Sequence, residues 1–211
     1  MELLPLYYAR GSSSEVLEVK PLRATDSDNT TLTVEAFDTH VYFYATVDSD
    51  RTLALMRELR SIDQRLRAER LTRNLEDSDQ TPIWLHINSP GGDLFSAFSV
   101  ADQIEKLHTP VYTVIEGLGA SAATIISVAG KKRYIQPNSY MLIHQFRTWF
   151  VGKYEEFKDE MVLQDMLIDR MAEFYADHSS MNKDGVREKL KSDWWMDAKQ
   201  SVEAGLVDFI L

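Results

Sequence analysis

Residues 111–130 read VYTVIEGLGASAATIISVAG, and the change of character halfway along this stretch decides the fold. Val111 to Ile115 is a β-branched and aromatic run that reads as a strand. Gly117-Leu118-Gly119-Ala120-Ser121 then reads as a turn, leading into a small-residue helix that lasts to about Val128. The same order of events stands just upstream: a strand at Ile83 to Ile87, the turn Asn88-Ser89-Pro90-Gly91-Gly92, and a helical pattern from about Leu94 to Leu107 that Thr109-Pro110 stops. Strands alternating with helices imply an α/β fold with a mainly parallel sheet.

Working outward, HVYFYATV (His40 to Val47) reads as a further strand. Asp48 or Ser49 is placed to cap a helix in which Leu53, Leu55, Met56, Leu59, Ile62 and Leu66 recur at helical spacing. Downstream, Arg133 to Ile135 and Tyr140 to Ile143 are short strands around Gln136-Pro137-Asn138-Ser139. A long helix is expected from about Lys153 to His178, with an apolar stripe broad enough to meet more than one neighbour. Short helices near Lys183 to Leu190 and Ala198 to Ala204, then a strand Val207 to Leu211, complete the pattern. Residues 1–38 differ: GSSSE, ATDSDNTT and the β-prone pieces Val16 to Val19 and Leu32 to Phe37 read as an irregular or hairpin arm beside a main domain at 39–211.

Composition narrows the function. The chain has 211 residues, enough for one domain with an accessory segment. It has no cysteine, which removes thiolate nucleophiles, disulfides and Cys-ligated zinc together. A formal charge of −10 opposes binding to a phosphate backbone, so no nucleic-acid partner is expected. The first residues lack the basic start and apolar run of a secretory signal, and the least polar stretch, Leu118 to Gly130, falls well short of a membrane span of about 20 residues. A soluble protein of the cytoplasm, or of an organellar stroma or matrix, is the expectation.

Two places carry chemistry. Gly119-Ala120-Ser121-Ala122-Ala123 resembles a nucleophile elbow with alanine at the final glycine position. Small neighbours let the chain turn sharply and leave the hydroxyl at a helix start, where free N–H groups stabilise an oxyanion. A helix-capping serine among packing residues fits that window as well. Gly91-Gly92 allows φ values closed to other residues, so a backbone N–H is free to point into a cleft; a plain tight turn is the other reading. Of the five histidines, His40, His86, His108 and His178 read as solvated or structurally bonded. His144 ends an apolar strand and is the candidate base for Ser121.

INSPGG (Ile87 to Gly92), GLGASAATIISVAG (Gly117 to Gly130), KKRYIQPNSYMLIHQ (Lys131 to Gln145) and VEAGLVDFIL (Val202 to Leu211) together resemble the proteolytic subunit family ClpP, in its order and near its spacing, over about residues 40–211. The resemblance implies a ClpP/crotonase-like α/β fold and a serine endopeptidase acting on peptides or unfolded proteins. Ser121 matches the family's nucleophile, His144 its base, and Asp193 its triad acid, with Asp197 as rival four residues on. Gly92 and Ala122 match the oxyanion-hole donors. No cofactor or metal is implied. Heptameric rings stacked face to face are implied, with residues 153–178 as the inter-ring handle and an AAA+ unfoldase as feeding partner.

Departures from the family are also legible. Phe146 to Gly152 replaces its proline and glycine-rich strand with bulkier residues. Ala122 stands where methionine is common, and the N-terminal arm lacks the usual start. Two other readings keep this fold. A crotonase-type acyl-CoA enzyme would need acidic catalytic residues near the glycine motifs. A noncatalytic ring subunit normally lacks a triad member.

Overall fold

The computed structural model describes residues 34–73, 80–148 and 150–211. The expected arm therefore lies outside the described residues except for its last part. Val34–Phe37 forms β1 and pairs antiparallel with β2, His40–Phe43. These residues belong to the sheet, so the main domain begins earlier than residue 39.

Among the described residues, one sheet of eight strands organises the fold. Its path runs β1, β2, β3 (Ile83–Ser89), β4 (Val111–Ala120), β5 (Lys132–Ile135) and β8 (Phe209–Ile210). From β2 to β8 every pairing on this path is parallel. A branch adds β6 (Tyr140–Ile143) to β4 in parallel, and β7 (Trp194–Met196) to β6 in antiparallel. The helices are α1 (Ser49–Arg73), α2 (Leu94–Lys106), α3 (Ala122–Val128), α4 (Tyr154–Asp177), α5 (Lys183–Leu190) and α6 (Ala198–Glu203).

The alternation of β3 explains how the sheet is covered. Ile83, Leu85 and Ile87 are fully buried, whereas Trp84 and His86 on the other face are half-buried. The first face packs under α1 through Leu55, Leu59, Ile62 and Leu66, and under α2 through Ala97, Val100, Ala101 and Ile104. Each such Leu, Ile or Val contributes roughly 1.5–3 kcal/mol by leaving water. Asp48 starts α1 by accepting from Arg51 N at 2.9 Å. On the opposite face Tyr42 stacks on His86 with ring centroids 4.5 Å apart, and Trp84 meets Tyr112 edge-on at 5.3 Å.

Two expectations are corrected. The stretch Gly117 to Ala120 is strand rather than turn, because β4 changes partner within itself. Tyr112–Ile115 pair with β5 and Leu118–Ala120 pair with β6. Gly117, at φ +80°, lies between the two halves. Conversely, among the described residues of 146–152 there is no strand.

The long helix is found at the expected place, but its two halves differ. Met171, Ala172, Phe174 and Tyr175 anchor the C-terminal half in the core. In the other half Tyr154, Met161 and Val162 are 73%, 51% and 61% exposed, so this half projects from the domain as an apolar handle.

Candidate active site

Ser121 is the residue on which β4 becomes α3. Its backbone sits at φ 54°, ψ −126°, a region that L-residues other than glycine rarely occupy. The chain holds it there from three sides. Ser121 N donates to Leu142 O on β6 at 2.7 Å. Ser121 O accepts from Thr124 N at 2.9 Å and from Thr124 Oγ1 at 2.6 Å. Thr124 Oγ1 in turn bonds the Tyr175 hydroxyl at 2.6 Å, which ties the elbow to α4. Burial pushes the Tyr175 hydroxyl well above the usual tyrosine range, so it stays a donor.

The second glycine site is built against the first. Gly91 has φ +88°, and a Cβ there would fall 2.5 Å from Ala120 O and 2.9 Å from Ala122 N. Only glycine lets the two turns approach this closely. Gly92 lies over Val47, where a Cβ would meet the carbonyl oxygen at 2.1 Å. Val47 N donates to Gly91 O at 2.8 Å and Asp93 N donates to Val47 O at 2.7 Å. The Gly92 N–H takes part in neither bond, and the Ala122 N–H is the first of α3, where helices have no internal acceptor. Among the described residues both donors are thus uncommitted on either side of the elbow.

A cleft of about 640 Å³ opens over these residues, with Gly92, Ser121 and His144 in its wall. A larger cleft of about 810 Å³ lies elsewhere, beside His108 and His178. Ser121 and His144 therefore share a cavity, although no hydrogen bond joins them among the described residues. His144 Nδ1 instead donates to Gln145 O at 2.5 Å, which leaves Nε2 as the basic nitrogen.

The two candidate acids are placed very differently. β6 and β7 pair Met141 with Met196, Leu142 with Trp195 and Ile143 with Trp194. Asp193 and His144 are the residues next in the chain at the same end of this pair, just beyond Trp194 and Ile143. The Asp193 side chain is exposed and has no hydrogen-bond partner among the described residues. Asp197 starts α6: its carboxylate accepts from Gln200 N at 2.8 Å while Gln200 Oε1 accepts from Asp197 N at 3.0 Å. It faces the far end of β6 and is occupied as a cap.

The remaining histidines have structural partners or none. His40 Nδ1 and His86 Nε2 lie 2.9 Å apart, and His86 also bonds Glu116 at 2.8 Å. Burial pushes the Glu116 carboxyl up, but the Tyr44 hydroxyl and His86 outweigh it and hold the group below the usual range. His178 bonds Phe174 O and Glu105. His108 is exposed. Phe146 and Arg147, from the segment singled out in the sequence, line the cleft, but sequence reasoning missed the rest of its far wall: Phe95, Glu160, Leu163 and Leu167. The spacing of 160, 163 and 167 along α4 was the available signal.

Comparison with known proteins shows the family. The family model of Clp protease matches residues 36–211. The chain is 36% identical over 131 residues to ATP-dependent Clp protease proteolytic subunit 2 of Treponema denticola, covering 61% of this chain and 66% of that protein. It is 31% identical over 143 residues to the ATP-dependent Clp protease proteolytic subunit of Lactococcus lactis subsp. cremoris, covering 65% of this chain and 71% of the relative. Among solved structures, a mutant of ClpP1 from Listeria monocytogenes superposes with a TM-score of 0.70 at 20% identity, over 82% of this chain and 91% of that one. At that identity the likeness speaks to the fold.

Proposed function

The chain belongs to the Clp protease family, and from that premise we propose that Ser121, His144 and Asp193 are the triad of its peptide-bond hydrolysis. The observation that carries the reading is the strained elbow of Ser121, held at φ 54° in the same cleft as His144. Strain at a non-glycine residue persists only where surrounding structure over-determines it, as the bonds to Leu142 O and Thr124 do here.

The chemistry follows from the groups in place. Ser121 Oγ attacks the carbonyl carbon of the scissile bond as His144 Nε2 takes its proton, and the same proton then passes to the leaving amine. The oxyanion that forms is held by the Gly92 and Ala122 N–H groups, each worth about 3 kcal/mol of barrier. Asp193 holds the other ring nitrogen and stabilises the imidazolium. That contact requires the Nδ1–H to leave Gln145 O for the Asp193 carboxylate, a local rotation of the kind that separates resting from engaged sites. Water hydrolyses the acyl-enzyme by the same steps in reverse order. No cofactor enters.

Assembly is part of the proposal. The exposed stripe of Tyr154, Phe157, Met161 and Val162 on α4 supports ring-to-ring contact through the handle, with heptameric rings enclosing the cleft. Enclosure would keep an unselective triad from folded proteins, and an AAA+ unfoldase would supply unfolded chains. No described helix is long and apolar enough to cross a membrane, and the cytoplasm or an organellar stroma or matrix is the compartment we infer. Hydrolysis of a fluorogenic peptide by the full chain tests the reading. Activity abolished by Ser121→Ala supports it, and activity that survives Ser121→Ala overturns it.

A further inference from the structure

The cleft carries two charged side chains that the proposed hydrolysis does not use and that cap no helix, Arg147 and Glu160. They are not equivalent. Arg147 is exposed on the coil after β6, where water screens it. Glu160 is half-buried on α4, and Gln164 Nε2 donates to its Oε1 at 3.3 Å. Among the described residues no cation pairs with it. Leu163 and Leu167 follow on the same side of the helix, one and two turns on, and line the same cleft. The wall facing Ser121 is thus an apolar strip that ends at a fixed carboxylate.

That arrangement matches one kind of side chain. Lysine and arginine have an apolar stem and a cationic head, and they lay the first on hydrocarbon while the second seeks a partner. A partly desolvated carboxylate discriminates by charge more strongly than the solvated guanidinium of Arg147 does. An acidic substrate side chain would bring like charge against Glu160. We propose that Glu160 is a specificity-determining residue that makes the cleft favour a basic side chain of the substrate over an acidic one. This rests on Ser121 being the nucleophile.

Three fluorogenic peptides that differ only in arginine, leucine or glutamate next to the scissile bond test it on the full chain. The expected ratio of kcat/KM for arginine over glutamate is roughly 10 to 100, from one charge-assisted hydrogen bond formed by arginine and one repulsion met by glutamate. Glu160→Gln brings that ratio down about tenfold and Glu160→Lys inverts it, while Arg147→Gln moves it less than Glu160→Gln does. An unchanged ratio in Glu160→Gln, with the peptides still cleaved, overturns the inference and leaves hydrolysis at Ser121 standing. Failure of the wild type to cleave any of the three, with Ser121 also unlabelled by a fluorophosphonate, overturns the inference together with the reading beneath it.

Discussion

His144 and Asp193 flank the same end of the β6–β7 pair, each next in the chain to the last residues paired there, Ile143 and Trp194. Asp197 lies at the other end of the same pair and caps α6. Asp193→Asn is therefore expected to lower kcat on a small peptide ester by roughly 10³- to 10⁴-fold with little change in stability. Asp197→Asn is expected to keep kcat and cost about 1 kcal/mol at most, since asparagine still caps. Ester kinetics and a thermal melt of both variants separate the roles; full activity in Asp193→Asn would overturn the assignment.

The contact between the two glycine turns gives a second expectation. Gly91→Ala forces a Cβ to within 2.5 Å of Ala120 O at a φ of +88°. Backbone strain and overpacking each cost about 1–3 kcal/mol, so the variant is expected to lose at least roughly 2 kcal/mol in a denaturant titration. Its elbow is displaced as well, so residual peptide hydrolysis falls further than stability does.

Tyr175 joins the handle helix to the elbow through Thr124. Tyr175→Phe keeps the ring packing and removes one buried hydrogen bond, with an expected loss of about 1 kcal/mol. Thr124 keeps its bond to Ser121 O, so the elbow is expected to survive. A loss above about 3 kcal/mol would mean that the hydroxyl supports more than this one contact.

Asp208 gives the pH dependence of stability. Burial pushes its carboxyl up, but the Arg133 side chain, the Arg133 N–H and the guanidinium charge outweigh it and hold the group below the usual range. With the folded value below the unfolded one, this stabilisation is fully present above the unfolded value of about 3.9 and is lost as pH falls through the folded value. Asp208→Asn is expected to be less stable than wild type at pH 7, with the difference shrinking below about pH 4. A constant difference down to pH 2 would remove this ion pair from the account.

Much of the fold was legible because its periodicities are strong. The helix at Lys183 to Leu190 agrees at both ends, and the long helix differs from expectation by a single residue at each. What failed was non-local. The sequence carries no mark of β4 exchanging β5 for β6, since that depends on a distant partner, Leu118 pairing with Tyr140, so Gly117 reads as the start of a turn. β7 was overlooked because three residues, two of them tryptophan, carry no alternation long enough to detect. Within the cleft, Ser121 and His144 stood out through small neighbours and a strand end. Glu160 did not, because a charge on a helix usually marks a solvated face. The preference for Asp193 over Asp197 rests on the family resemblance, because spacing alone does not carry it; the cap that Asp197 makes on α6 was not legible in the sequence.

Labelling the assembled full chain with a fluorophosphonate and locating the adduct by mass mapping tests the central claim most directly. The account predicts one adduct, on Ser121, that disappears in His144→Ala. An assembled, folded protein that takes up no label at Ser121 would contradict it.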